Sequence, residues 1–171
     1  MAKGNGHLID YDALVKPDAV HGSVYYDPAI FDEEMKRIYS RGWVYIGHES
    51  EIPKAGDFKR SWIGLQPMIF SRDKAGKYHV LFNRCMHRAA SICQDEQGNA
   101  GGFRCEYHGW FYRLDGALQA LPYADAYGDD FDKSKYNLAR PPRVDAYRGL
   151  VFASLSETGI SLREHIGGPA M

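Results

Sequence analysis

Two short stretches, Cys85-Met86-His87-Arg88 and Cys105-Glu106-Tyr107-His108-Gly109-Trp110, decide how this sequence is read. Each sets a thiol beside an imidazole, with one residue between them in the first and two in the second. Seventeen residues lie between His87 of the first pair and Cys105 of the second. Each follows a segment of strand character, and an acidic, glycine-rich run from Gln94 to Gly102 turns the chain between them. Two loops of similar shape at one end of a sheet would bring two sulfurs and two ring nitrogens together.

Around these loops the texture is that of an antiparallel β protein. Short runs rich in aromatic and β-branched residues stand at Trp43–His48, Asp57–Ile63, Pro67–Ser71, Tyr78–Asn83, Phe103–Arg104, Trp110–Arg113, Ala117–Ala120 and Leu150–Ser154. Close turns at Asp73-Lys74-Ala75-Gly76, Gly98-Asn99 and Leu114-Asp115-Gly116 break them, and no helix intervenes. Residues 122–148 hold three of the eight prolines and many polar residues and read as a long connection with little regular structure.

Upstream, residues 1–26 are polar and without period, an arm expected to touch the body through Tyr25 and Tyr26. Asp27-Pro28 then reads as an N-cap with proline at the first helical position, where the missing N–H costs nothing. Phe31, Met35, Ile38 and Tyr39 recur at helical spacing and predict a stripe facing the core, with Gly42 as the stop. Ser161–Ile166 predicts a last short helix before Gly-Gly-Pro-Ala-Met.

At 171 residues, 44% hydrophobic and 25% charged, the chain has the composition of a globular domain with a sizeable core. A net charge of -1, without a run of either sign, removes the footprint of a nucleic-acid or anionic-membrane binder. No apolar stretch is long enough to span a bilayer, and MAKGNGHLID lacks the apolar core of a secretory signal, so a cytoplasmic protein is expected. Three cysteines do not make a disulfide framework.

The paired Cys/His residues admit four readings. They are interior residues without metal, which two pairs in neighbouring loops argue against. They hold tetrahedral zinc, whose common motifs space paired ligands by about two to five residues, against one between Cys85 and His87. They form a nucleophilic cysteine with a histidine base, which leaves one pair unexplained. Or they carry a [2Fe–2S] cluster with mixed sulfur and nitrogen ligation.

The last reading is supported by a resemblance. C-x-H, seventeen residues and C-x-x-H together resemble the motif of the Rieske proteins, and NRCMHRAA…CEYHGWFYRLDGAL resembles the large (α) subunits of aromatic-ring-hydroxylating oxygenases in particular. The likeness runs from about Val24 to Leu155. It implies a mainly β fold: a Rieske domain of stacked antiparallel sheets with the cluster at the tips of two hairpin loops, preceded by a short helical arm. The implied division is arm and helix at 1–42, Rieske domain at 43–157, and the start of a truncated catalytic domain or linker at 158–171.

By the same resemblance Cys85 and Cys105 bind one iron, and His87 and His108 the other. Two thiolates and two neutral imidazoles leave the oxidised cluster formally neutral, where four thiolates would make it about two units more negative, so it accepts an electron more readily. Respiratory Rieske proteins resemble this pattern but add a disulfide beside the cluster and a serine that donates to a cluster sulfur. Here Ala90, Tyr107 and Trp110 stand at those positions, which implies the lower-potential, oxygenase-like class.

The resemblance also implies the function. A ferredoxin or flavin reductase supplies electrons, and the cluster passes them singly to a mononuclear non-haem iron, where O2 is activated and an aromatic ring hydroxylated in aromatic-compound catabolism. That iron is held by two His and one carboxylate in a downstream catalytic domain. His165 alone after His108 cannot supply it, so the 171 residues by themselves should carry electrons without hydroxylating anything. The full-length enzyme is expected to be a homotrimer or α3β3 assembly, with the cluster loops at a subunit interface. The alternative is a free-standing Rieske ferredoxin, against which the arm before Trp43 and the segment after Leu155 speak. Arg88 and Tyr107 are secondary candidates for contacts near the cluster. Trp110 reads as core beneath the loop and Cys93 as a buried small hydrophobe. His7, His21, His48, His79 and His165 read as structural or surface groups.

Overall fold

The computed structural model describes residues 9–167, which leaves His7 and the last four residues outside the described part. Ten strands form three antiparallel sheets: β1 (Val44–His48), β2 (Asp57–Ile63), β3 (Gln66–Arg72), β4 (Tyr78–Phe82), β5 (Gln97–Asn99), β6 (Phe103–Arg104), β7 (Phe111–Tyr112), β8 (Leu118–Ala120), β9 (Arg143–Tyr147) and β10 (Leu150–Ser154). Their orders are β1-β10-β9, β4-β3-β2-β5 and β6-β7-β8. The expectation of a mainly β chain of stacked antiparallel sheets holds.

The central sheet is covered on both faces, which explains why β3 reads as an unbroken buried run, Met68-Ile69-Phe70-Ser71, rather than an alternation. Met68 and Phe70 join Ile46, Val80, Val151 and Ala153 in one core, shared with β1 and β10. Ile69 and Leu81 point the other way, into a second core with Phe103, Trp110, Tyr112, Leu114 and Leu118. Ser71, on that second side, donates from Oγ to the Leu114 carbonyl at 2.8 Å, so its burial is satisfied. Phe58 meets Phe103 edge-to-face at 5.3 Å between ring centroids, tying the small β6-β7-β8 sheet to the central one.

Before the sheets come α1 (Tyr11–Leu14), a 3-10 turn at Gly22–Tyr25, and α2 (Pro28–Glu34), which passes into a π turn at Met35–Tyr39. Asp27 caps α2 by accepting from the Ala29 N–H at 2.8 Å, with proline in the first turn as the sequence predicts. At the far end α3 (Leu162–Ile166) opens on a capping box in which the Ser161 and Glu164 side chains bond each other's backbone N–H.

Five sequence readings need correction. Gly98-Asn99, read as a turn, lies in β5, which pairs with β2 as an edge strand. Arg143–Tyr147, placed in an irregular connection, pairs along its whole length with β10; two 3-10 turns account for other parts of that stretch. Tyr25 and Tyr26 stand in solvent. The predicted stripe faces the body only in part: Met35 and Tyr39 are half-buried beside Gly64, while Phe31 and Ile38 are exposed and Ile30, outside the stripe, is the buried residue of α2. Gly42 does not terminate the helix in a left-handed conformation; the turn closes at Ser40 and Gly42 N–H bonds the Ile38 carbonyl at 2.7 Å.

Candidate metal centre

The two Cys/His loops are built on one backbone plan. In the first, Cys85 N–H donates to the Ala90 carbonyl and Ala89 N–H donates back to the Cys85 carbonyl, at 2.8 and 2.9 Å. In the second, Cys105 N–H donates to the Trp110 carbonyl and Gly109 N–H to the Cys105 carbonyl, both at 2.8 Å. The residue four after each cysteine takes a left-handed conformation, Ala89 at φ 59° and Gly109 at φ 74°. A β-carbon at Gly109 would come 3.0 Å from Pro122, so the second loop needs glycine for space as well as for φ.

This plan sorts the donors by depth. Cys85 and Cys105 are buried, both as free thiols, while His87 and His108 lie half-buried toward the surface. The two imidazoles face each other edge-on, with ring centroids 4.6 Å apart. Trp110 is buried beneath them and stacks on His87 at 4.9 Å and 7°, the core role its sequence suggests. Tyr107 stacks on His108 at 3.8 Å and remains exposed. Arg88 is exposed. Cys93 is buried, its Sγ toward the Asp95 carbonyl at 3.5 Å.

Electrostatics follow the same division. Burial raises the pKa of the Cys105 thiol against the pull of the Tyr107 and His108 backbone N–H groups, and the neighbouring Cys85 pushes it further up. Burial, then His108 and Arg88, holds the His87 pKa below the ordinary histidine value, so its ring is neutral and keeps a lone pair. His87 Nδ1 is buried with no hydrogen-bond partner. An orphaned ring nitrogen beside two buried thiols outside any disulfide is costly in a chain that does nothing with it, and it fits a metal ligand. Among the described residues no three His, Cys, Asp or Glu side chains converge on a single point.

Sequence reasoning missed one residue here. Tyr112, fully buried on β7, places its hydroxyl 3.3 Å from Cys85 Sγ and accepts from the Met86 N–H at 3.1 Å. With its oxygen already accepting that bond, the phenolic proton is free to point at the sulfur. Burial, with Cys85 second, pushes its pKa far up, so the proton stays on. The FYR run in which it sits marks it only as a strand aromatic, and nothing local announces a contact with a cysteine 27 positions away.

Comparison with known proteins decides the matter. Residues 42–143 match the Rieske [2Fe-2S] domain. The chain belongs to the Rieske family. It is 43% identical over 145 residues to the α subunit of N,N-dimethyl phenylurea N-demethylase from Sphingobium sp. (strain YBL2), covering 84% of this chain and 32% of that one. To the α subunit of biphenyl 2,3-dioxygenase from Rhodococcus jostii (strain RHA1) it is 37% identical, over 84% of this chain and 31% of that protein. The crystal structure of naphthalene 1,2-dioxygenase from Rhodococcus sp. superposes with a TM-score of 0.82 at 40% identity, over 86% of this chain and 34% of that one. The chain thus spans about a third of the length of these oxygenase α subunits, and it is the Rieske part of such a subunit. Its cofactor is a Rieske [2Fe–2S] cluster. No helix among the described residues is long and apolar enough to cross a membrane.

Proposed function

We propose that Cys85 and Cys105 hold the inner iron of the cluster and His87 and His108 the outer one, and that the chain is the electron-entry unit of an aromatic-ring-hydroxylating oxygenase. The observation that carries this reading is the layered donor set, two free buried thiols beneath two facing imidazoles, one with an orphaned buried Nδ1. When bound, the cluster accepts and releases one electron at a time.

The chain's residues do the rest. Tyr112 directs an O–H at Cys85 Sγ, and the Tyr107 and His108 N–H groups point at Cys105, so each sulfur is met by donors that stabilise added negative charge. Trp110 locks the His87 ring by stacking, so little has to move when charge arrives. The half-buried imidazoles form the exit toward a partner, and burial keeps water from the sulfurs.

In the whole enzyme a ferredoxin or flavin reductase supplies the electron. Its destination is a mononuclear non-haem iron in a catalytic domain, where O2 is activated and an aromatic substrate hydroxylated. We assign residues 1–42 to the arm, 43–157 to the Rieske domain and 158–171 to the start of the next unit, in a trimeric or α3β3 cytoplasmic enzyme. The test is anaerobic loading with iron and sulfide followed by metal analysis and coulometry. A [2Fe–2S] stoichiometry and about one electron per chain support the reading; stable binding of zinc in place of iron overturns it.

A further inference from the structure

The first cluster loop is held shut by a side chain that none of the roles above uses. Asn83 is buried just after β4, its own N–H bonded to the Pro67 carbonyl at 2.9 Å, which fixes it to the central sheet. Its Oδ1 accepts from the N–H groups of Ile92 and Cys93 at 3.1 and 2.9 Å, and its Nδ2 donates to the Cys93 carbonyl at 2.8 Å. One amide therefore ties the two ends of the loop that carries Cys85 and His87. Residues 91–96 form no strand, so no ladder serves those backbone groups in its place.

We infer that Asn83 is a positioning residue for the cluster: it closes the first loop and thereby sets where Cys85 and His87 stand. Three bonds meet in one buried side chain, and the segment they close has no regular structure of its own to replace them. Removing the amide orphans the Ile92 and Cys93 N–H donors and leaves the Cys93 carbonyl only the longer bond from Ser91 Oγ, so the loop opens more often and the cluster is exposed to chelators and oxygen more often. The inference rests on the ligand assignment above.

The test uses the cluster-loaded chain and three variants. Asn83→Ala is expected to bleach under excess chelator at least about tenfold faster than the parent, the factor to which one lost buried hydrogen bond corresponds. Its paramagnetic resonance of the reduced state should broaden as the ligand geometry loosens. Asn83→Asp keeps the two bonds accepted from the Ile92 and Cys93 N–H groups at equal size but loses the one donated to the Cys93 carbonyl, so it too should bleach faster than the parent, and the melting temperature of each variant is read beside its bleaching rate. Ser71→Ala removes one buried hydrogen bond, that to Leu114, and should lower the melting temperature while leaving bleaching and spectrum as in the parent. Equal bleaching and unchanged spectra in both Asn83 variants overturn the inference, as does a Ser71→Ala variant that bleaches as fast as Asn83→Ala. A parent chain that shows no histidine-type cluster signal instead overturns the ligand assignment, so the two failures are distinguishable.

Discussion

At the scale of single residues, the chain tunes an electron site with neutral hydrogen bonds rather than charges. Tyr112 is the clearest case. Its O–H toward Cys85 Sγ favours the reduced, more negative state, so Tyr112→Phe should lower the potential. A bond worth about 1 kcal/mol more in the reduced state corresponds to about 40 mV for one electron, read by a spectroelectrochemical titration. An unshifted potential with the cluster intact would place the phenol proton elsewhere. His108→Cys should also move the potential down, because a thiolate adds a negative charge where a neutral imidazole stood. Cys93→Ser should leave the cluster's visible spectrum unaltered, since that thiol, its pKa raised by burial, bonds the Asp95 carbonyl and takes no part in the loops. Loss of the spectrum would change the ligand set. The ligand candidates were legible because four chemically distinctive residues stand in a compact motif; Tyr112 and Asn83 were not, because each acts across a contact that exists only after folding.

At the scale of elements, the two loops repeat one hydrogen-bond plan, and its weak point is the left-handed residue four after each cysteine. Gly109→Ala adds a side chain both strained at φ 74° and pressed on Pro122. It should cost about 1–2 kcal/mol in chemical denaturation. Ala89→Gly, at φ 59°, should be neutral or mildly stabilising, since it relieves the same strain in the other loop. An equal loss in both would mean that the plan is not shared. The strands that sequence patterning found are those with β-branched or aromatic residues facing a core, such as β3 and β10. It missed β5, a wholly exposed Gln-Gly-Asn segment with no apolar side chain to mark it, and β9, an edge strand just after a Pro-Pro pair. The π turn was equally invisible, since its sequence is that of an ordinary helix.

Over the whole molecule, a near-neutral chain builds two cores on either side of one sheet and places its chemistry at the edge of the second. Its carboxylates give stability a direction in pH. The Asp73 pKa is held low first by the hydrogen bond from His79, that of Asp115 by the bond from Arg113, and that of Asp57 by Asn99. A depressed folded pKa contributes stability that is present above the unfolded value of about 4 and is lost as pH falls through the folded one. Melting temperature should therefore be flat from neutral pH down to about 5 and fall below that; a steady rise on acidification would contradict these pairings. The general architecture was legible from sequence because short aromatic and β-branched runs follow one another across close turns with no helix between them.

Every part of this picture turns on unequal ligation of the two irons, and electron paramagnetic resonance of the anaerobically reduced, iron-loaded chain reads that inequality. Sulfur on one iron and imidazole on the other should give a rhombic signal with an average g below that of an all-thiolate cluster. A signal of the all-thiolate type, or a silent protein with zinc as its bound metal, would contradict it.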